Sequence, residues 1–197
     1  MAISASEVKK LRDRTGLGMM DCKKALEEAG GDPAKAEDLL RKQGLKAAEM
    51  RVGRTASEGV VGSYIHTNNK IGVIAEINCE TDFAAGNAEF KALVKDVCMQ
   101  IAATSPKYVS PETIPAEDVE REREIASGQC EGKPPHIVEK IIEGKLKDFY
   151  KQVCLLEQPF IKDTSQTVGE LVKGLNAKLG ENIVVRRFTR YEVGEEG

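Results

Sequence analysis

A chain of 197 residues that is 41% hydrophobic and 31% charged has room for one or two domains with a real core, and none for a large multidomain enzyme. Its 29 basic and 32 acidic side chains leave a net charge of −3, which argues against a dedicated nucleic-acid binder with its strong basic excess. No apolar run approaches the roughly 20 residues of a membrane span, and the opening Met-Ala-Ile-Ser-Ala-Ser-Glu lacks the basic-then-apolar shape of an export signal, so the cytoplasm is the expected location.

The cysteines Cys22, Cys79, Cys98, Cys130 and Cys154 are odd in number and widely spaced. Without an export signal they read as buried thiols rather than a disulfide framework. With only His66 and His136, neither zinc-ribbon nor zinc-protease spacing is available, so no metal site or cofactor is expected. A cysteine nucleophile paired with one of these histidines has no local support. No Trp and few other aromatics leave little material for base-stacking.

In chain order, residues 1–54 carry 12 basic and 9 acidic groups, and the remainder 17 and 23. That shift places a boundary near Gly53–Gly59, separating a module at 1–54 from a core at 55–197. Ser4 and Glu7 have capping-box spacing, with Ile3 and Val8 as the staple, and the helix they start breaks at Thr15-Gly16-Leu17-Gly18. A second helix spans about Met19 to Ala29, with Cys22, Ala25, Leu26 and Ala29 on its inner side. A third starts at Asp32-Pro33, turns Ala36, Leu39 and Leu40 inward, and is expected to close at Gly44.

The core opens with strands at Gly59–Thr67 and Ile71–Cys79 around an Asn68-Asn69 turn. A helix follows at about Asn87–Thr104, then a proline-rich connector. Helices at Ala116–Ser127 and Pro135 to about Leu156 flank a Gly128–Pro134 turn. The apolar repeat Val138, Ile142, Leu146, Phe149, Val153 predicts a coiled-coil-like helical hairpin at about 112–156. A helix at Thr167–Leu179 and a strand at Asn182–Val193 complete an α+β fold with a small antiparallel three-stranded sheet.

Catalytic templates fail. Gly16-x-Gly18 has Asp21 where the dinucleotide fingerprint needs glycine, and neither a phosphate loop nor a nucleophile elbow exists. Glu120, Glu122 and Glu124, beside Arg121 and Arg123, read as a solvated helix face. Two stretches carry more. Met19 and Met20 lie about 100° apart on a helix, so both cannot point into one small core: either at least one is partly exposed, as a soft, adaptable contact surface, or both pack in the little bundle. In Glu80-Thr81-Asp82-Phe83-Ala84-Ala85-Gly86, Thr81 or Asp82 can cap a short turn. Phe83 then either folds back into the core or stands out as an apolar anchor beside a carboxylate.

Leu11-Arg12-Asp13-Arg14-Thr15-Gly16-Leu17-Gly18-Met19-Met20-Asp21-Cys22-Lys23-Lys24-Ala25-Leu26 closely resembles the N-terminal motif of the bacterial elongation factor Ts family. Glu76-Ile77-Asn78-Cys79-Glu80-Thr81-Asp82-Phe83 resembles its second signature, and the resemblance continues through Gln158-Pro159-Phe160, Thr167-Val168-Gly169-Glu170-Leu171 and the final strand. It implies a guanine-nucleotide exchange factor, not an enzyme, whose partner is the GTPase elongation factor Tu, with no direct nucleic-acid or membrane contact. The N-terminal module would be a ubiquitin-associated-like three-helix bundle docking through Leu11, Met19 and Met20. Thr81, Asp82, Phe83 and Ala84 match the element associated with displacing the partner's Mg²⁺; Ala84 stands where the family has Val, which trims two methyl groups. The chain has one core subdomain where longer members have two, so the resemblance implies a homodimer. The competing classes are a ubiquitin-associated-like adaptor without exchange activity, which would not need Thr81-Asp82-Phe83, and a thiol enzyme using Cys79 or Cys22.

Overall fold

The computed structural model describes residues 3–51, 53–130 and 134–195. Three helices open the chain: α1 (Ala5–Thr15), α2 (Met19–Glu28) and α3 (Pro33–Glu49). The capping box starts α1: the Ser4 hydroxyl accepts from the Glu7 amide, and the Glu7 carboxylate accepts from the Ser4 amide at 2.8 Å. Gly16 ends it at φ 70°, in the left-handed region that favours glycine. Val8, Leu11, Cys22, Ala25, Leu26, Ala36 and Leu40 close a small core between the three helices.

Gly44 does not close α3, contrary to expectation; the helix runs on to Glu49. The reason lies in tertiary packing. Helix α3 crosses a later helix, α8 (Val168–Leu179), at this point, and a Cβ on Gly44 would stand 2.9 Å from the Ala177 Cβ. The glycine permits close helix approach, and a helix interior tolerates it at a cost of about 1 kcal/mol.

Strands β1 (Glu58–Ile65), β2 (Ile71–Cys79) and β5 (Val184–Glu192) form an antiparallel sheet in the order β1-β2-β5. The β1–β2 turn pivots on Asn69 at φ 56°, with the Lys70 amide donating to the Asn68 side chain. Pairing of β2 with β5 slips between Glu76 and Ile77, which oppose Arg187 and Val185. The bulge leaves Arg186 and Arg187 both exposed. Alternation sends Val73, Ala75, Ile77 and Cys79 inward, against Phe90, Leu93, Val94, Val97, Cys98 and Ile101 of α5 (Ala88–Thr104). Helix α8 adds Val168 and Val172 to the same core.

Helices α6 (Ala116–Gly128) and α7 (Pro135–Val153) make the expected hairpin, whose turn residues 131–133 lie outside the described residues. Its seam is thin: Ala126, Cys130 and Leu146 are fully buried, and Val138, Ile142, Phe149 and Val153 partly so. The solvated face expected of α6 is seen at the exposed pair Glu120–Arg123, while Arg121 pairs with the half-buried Asp118. At the hairpin base the Tyr108 hydroxyl donates to Asp118 at 2.6 Å.

The short pair β3 (Pro159–Phe160) and β4 (Asp163–Thr167) has no counterpart in the sequence reading. It is held by a buried amide. The Gln100 side chain accepts from the Ile161 amide at 2.9 Å and donates to the Pro159 carbonyl at 3.1 Å. A glutamine placed mid-helix gives no local sign of a remote strand pair.

The α3–α8 crossing is open to test. Gly44→Leu gains about 1 kcal/mol of helix propensity but overpacks the crossing, at a cost of roughly 1–3 kcal/mol. A lower urea midpoint than the parent's is expected in equilibrium unfolding. An unchanged or higher midpoint would show that the close approach is not needed.

Candidate functional site

The second signature stretch follows directly from β2. Cys79 ends the strand on its inner face, and the chain turns into α4 (Asp82–Gly86), one short helical turn. Thr81 is the N-cap: its Oγ1 accepts from the Ala84 amide at 3.2 Å. Asp82 Oδ1 accepts from the Phe83 amide at 2.8 Å. Asn87 ends this turn and caps the next helix, accepting from the Glu89 amide.

The cap decides where each side chain points. Ala84 is buried in the main core, while Thr81, Asp82 and Phe83 face solvent. Phe83 is 89% exposed, so of the two arrangements open to it the projecting one is realised. The result is a bare aromatic ring beside an exposed carboxylate on a capped turn. Ala84, packed in the main core, belongs to the base of the turn rather than to its outer surface.

In the N-terminal bundle, Met19 and Met20 begin α2 after Gly18 and are 47% and 63% exposed. They form a polarizable apolar pair on an otherwise charged surface. Leu11 is different: it is 1% exposed, in the centre of the bundle core. Its expected role as a docking contact is therefore corrected to an internal one. It backs Cys22, Ala25 and Leu26 and so fixes the helix that carries the two methionines.

Sequence reasoning missed the residues that hold the loop before Phe83. They lie in the turn between α8 and β5. One oxygen of the Glu181 carboxylate accepts from the Glu80 amide at 2.9 Å and the Thr81 amide at 3.1 Å, and the other from the Thr81 hydroxyl at 2.8 Å. In return, the Glu80 carboxylate accepts from the Asn182 amide at 2.7 Å and pairs with Arg54 at 3.7 Å. The buried Asn182 side chain donates to the Arg54 carbonyl at 2.8 Å. About 100 residues separate the two sides of this clamp, and no short motif announces it.

Three further features define what the site can do. Among the described residues no group of His, Cys, Asp and Glu could hold a metal ion, and no helix is long and apolar enough to cross a membrane. His66 lies beside the Tyr64 hydroxyl, 3.1 Å away; the side chain of His136 lies outside the described residues.

Comparison with known proteins agrees with the geometry. The sequence profile of the family described as Elongation factor TS matches residues 34–195. The Elongation factor Ts of Desulforamulus reducens is 58% identical over 195 residues, covering 98% of this chain and 90% of that protein. That of Thermoanaerobacter sp. is 57% identical, covering 98% and 96% respectively. That of Caldanaerobacter subterraneus subsp. tengcongensis is 56% identical, covering 98% of each.

The cysteines take the structural part expected of them. All five are buried and unpaired. Burial pushes the Cys98 thiol up to about 11, and burial together with the charges of Glu157 and Glu112 does the same to Cys154. The Cys79 thiol is raised by burial first and then by the Glu181 charge, and it donates to the Thr81 carbonyl at 3.1 Å. Such thiols stay protonated at neutral pH and are poor nucleophiles. At pH 8 the native protein should react with Ellman's reagent far more slowly than the denatured chain, in which all five titrate. Because the folded Cys79, Cys98 and Cys154 thiols ionise above the unfolded value of about 8.5, their contribution to stability is whole below that pH. It is lost as pH rises toward 11, so the denaturation midpoint should fall across that range. Rapid labelling of a native thiol would contradict this account.

Proposed function

The chain belongs to the elongation factor Ts family, and from that membership we propose how its surface carries out the family's task. It is a translation elongation factor: it acts as a nucleotide-exchange factor on elongation factor Tu, promoting loss of GDP so that GTP can load. The residue roles below, the pairing of two copies and the cytoplasmic setting are our proposals.

The observation that carries the reading is Phe83, an aromatic side chain held in water on a rigid turn. An exchange factor must bind the nucleotide-free GTPase more tightly than the loaded one, and by linkage it then weakens nucleotide binding by the same factor. Mg²⁺ bridges the nucleotide phosphates to the GTPase, so dislodging it speeds GDP departure. Phe83 wedges between structural elements of the partner while Asp82 disturbs the surroundings of its metal ion. Thr81 fixes the turn, and Ala84 seats it on the core. Neither Asp82 nor Phe83 forms or breaks a covalent bond, so the factor is not an enzyme. Residues 1–54 form the docking module, with Met19 and Met20 as contacts and Leu11 as their internal support. The adaptor reading accounts for the methionines but leaves Phe83 without a purpose.

One core subdomain stands where longer members have two, and this chain works as a homodimer. The outer face of the sheet supports that reading: Val61, Ile65, Ile74, Tyr191 and Val193 are exposed together on it, more apolar side chains than a monomer's sheet usually leaves in water.

Two measurements test these proposals. Phe83→Ala should lower the rate of fluorescent-GDP release from elongation factor Tu at saturating factor by roughly 30-fold, the scale of an interface anchor. Unchanged stimulation would sink the wedge role. Light scattering at micromolar concentration should give twice the chain mass, and Ile74→Asp should shift it toward one chain. A monomeric parent protein would refute the pairing.

A further inference from the structure

We infer that Glu181, on the turn between α8 and β5, is a positioning residue for nucleotide exchange, acting through the Asp82–Phe83 element. The inference rests on the exchange reading of that element and extends it to a residue outside the element, on the turn that holds it.

The geometry carries it. The Thr81 hydroxyl has one proton, and it is given to Glu181 at 2.8 Å. Its lone pairs are thereby turned toward the Ala84 amide, the bond that caps α4 and sends Phe83 outward. The same carboxylate takes the Glu80 and Thr81 amides, so it fixes the backbone orientation on entry to the turn. All three donors meet an ionised acceptor, and such bonds are roughly twice as strong as neutral ones.

Glu181 is itself placed with care. Gly180 ends α8 at φ 73°, and the buried Asn176 side chain both accepts from the Ile183 amide at 3.2 Å and donates to the Ile183 carbonyl at 3.4 Å. The turn is thus pinned on both sides of Glu181. The reverse contacts, Asn182 to Glu80 and Arg54 to Glu80, tie in the segment arriving from the N-terminal helices. Meanwhile Ile77, Cys79 and Ala84 anchor the neighbouring chain in the core without Glu181. Its removal therefore loosens the loop and leaves the sheet and α8 packed.

The test is GDP release from elongation factor Tu across a range of factor concentrations. The proteins compared are the parent, Glu181→Gln, Glu181→Ala, Phe83→Ala and the Glu181→Ala/Phe83→Ala double variant. Glu181→Gln keeps size and one acceptor oxygen, so it remains informative if the alanine variant folds poorly. The saturating rate should fall roughly tenfold for Glu181→Ala and less for Glu181→Gln. Half-saturating concentrations should stay within about twofold, because the N-terminal contacts are untouched. Since Glu181 acts through Phe83, the double variant should be no more than about twofold slower than Phe83→Ala alone. Saturating rates within twofold of the parent for both Glu181 variants would overturn the inference while leaving Phe83 in its role. So would losses that multiply fully in the double variant. If Phe83→Ala itself releases GDP at the parent rate, the exchange reading of the loop fails, and the positioning role with it.

Discussion

An aromatic ring kept in water is an uphill arrangement, worth roughly 1.5–3 kcal/mol against burial, and much of this fold serves to maintain it at Phe83. The ring cannot turn inward because the inward position of its short helical turn is already filled by Ala84. The turn cannot unwind cheaply because Thr81 caps it and Glu181 holds the entering backbone. The strand leading into it cannot slip, since a one-residue shift would carry Val73, Ala75, Ile77 and Cys79 from the core face to solvent. Core packing thus fixes the base of the turn, and polar contacts fix its direction.

Helix α8 connects this arrangement to the rest of the molecule. One side, with Val168 and Val172, completes the main core; another meets α3 where Gly44 approaches Ala177; its end delivers the turn bearing Glu181. Lys178 adds an ion pair with Glu89 at 2.6 Å, but both side chains reach water and such pairs contribute little. The close helix approach is therefore the stronger reason for the placement of the N-terminal bundle. Met19–Met20 and Phe83 stand on units that share this one helix.

How much of this was legible in the sequence follows from the range of the forces involved. The capping box of Ser4 and Glu7, the alternating β2 and the apolar repeat of the helical hairpin depend on residues within a few positions of one another, and each stands where spacing places it. Gly44 was misread because a glycine near a helix end signals a stop locally, whereas its use as a close-approach point depends on Ala177. Leu11 is a docking position only by resemblance, and in the structure it packs in the centre of the bundle core. The exposure of Phe83 was left open by spacing and decided by the cap. The Glu181 clamp and the Gln100-held strand pair were invisible because their partners lie roughly 60–100 residues away, and polar residues in turns or helices are otherwise unremarkable.

Pre-ordering bears directly on exchange. A flexible loop that became ordered on contact would lose conformational freedom, at about 0.5–1.5 kcal/mol for each immobilised side chain. That loss would be subtracted from whatever the ring gained in a pocket. Here the turn is capped, seated and clamped in the chain alone, so in the wedge role proposed for Phe83 the ring's burial would go to distorting the GTPase rather than to ordering the factor. The same logic explains why the remaining contact surface can be modest and soft. In the roles proposed for them, the methionines need only bring the partner within reach, and nucleotide release falls to the capped turn that carries Phe83.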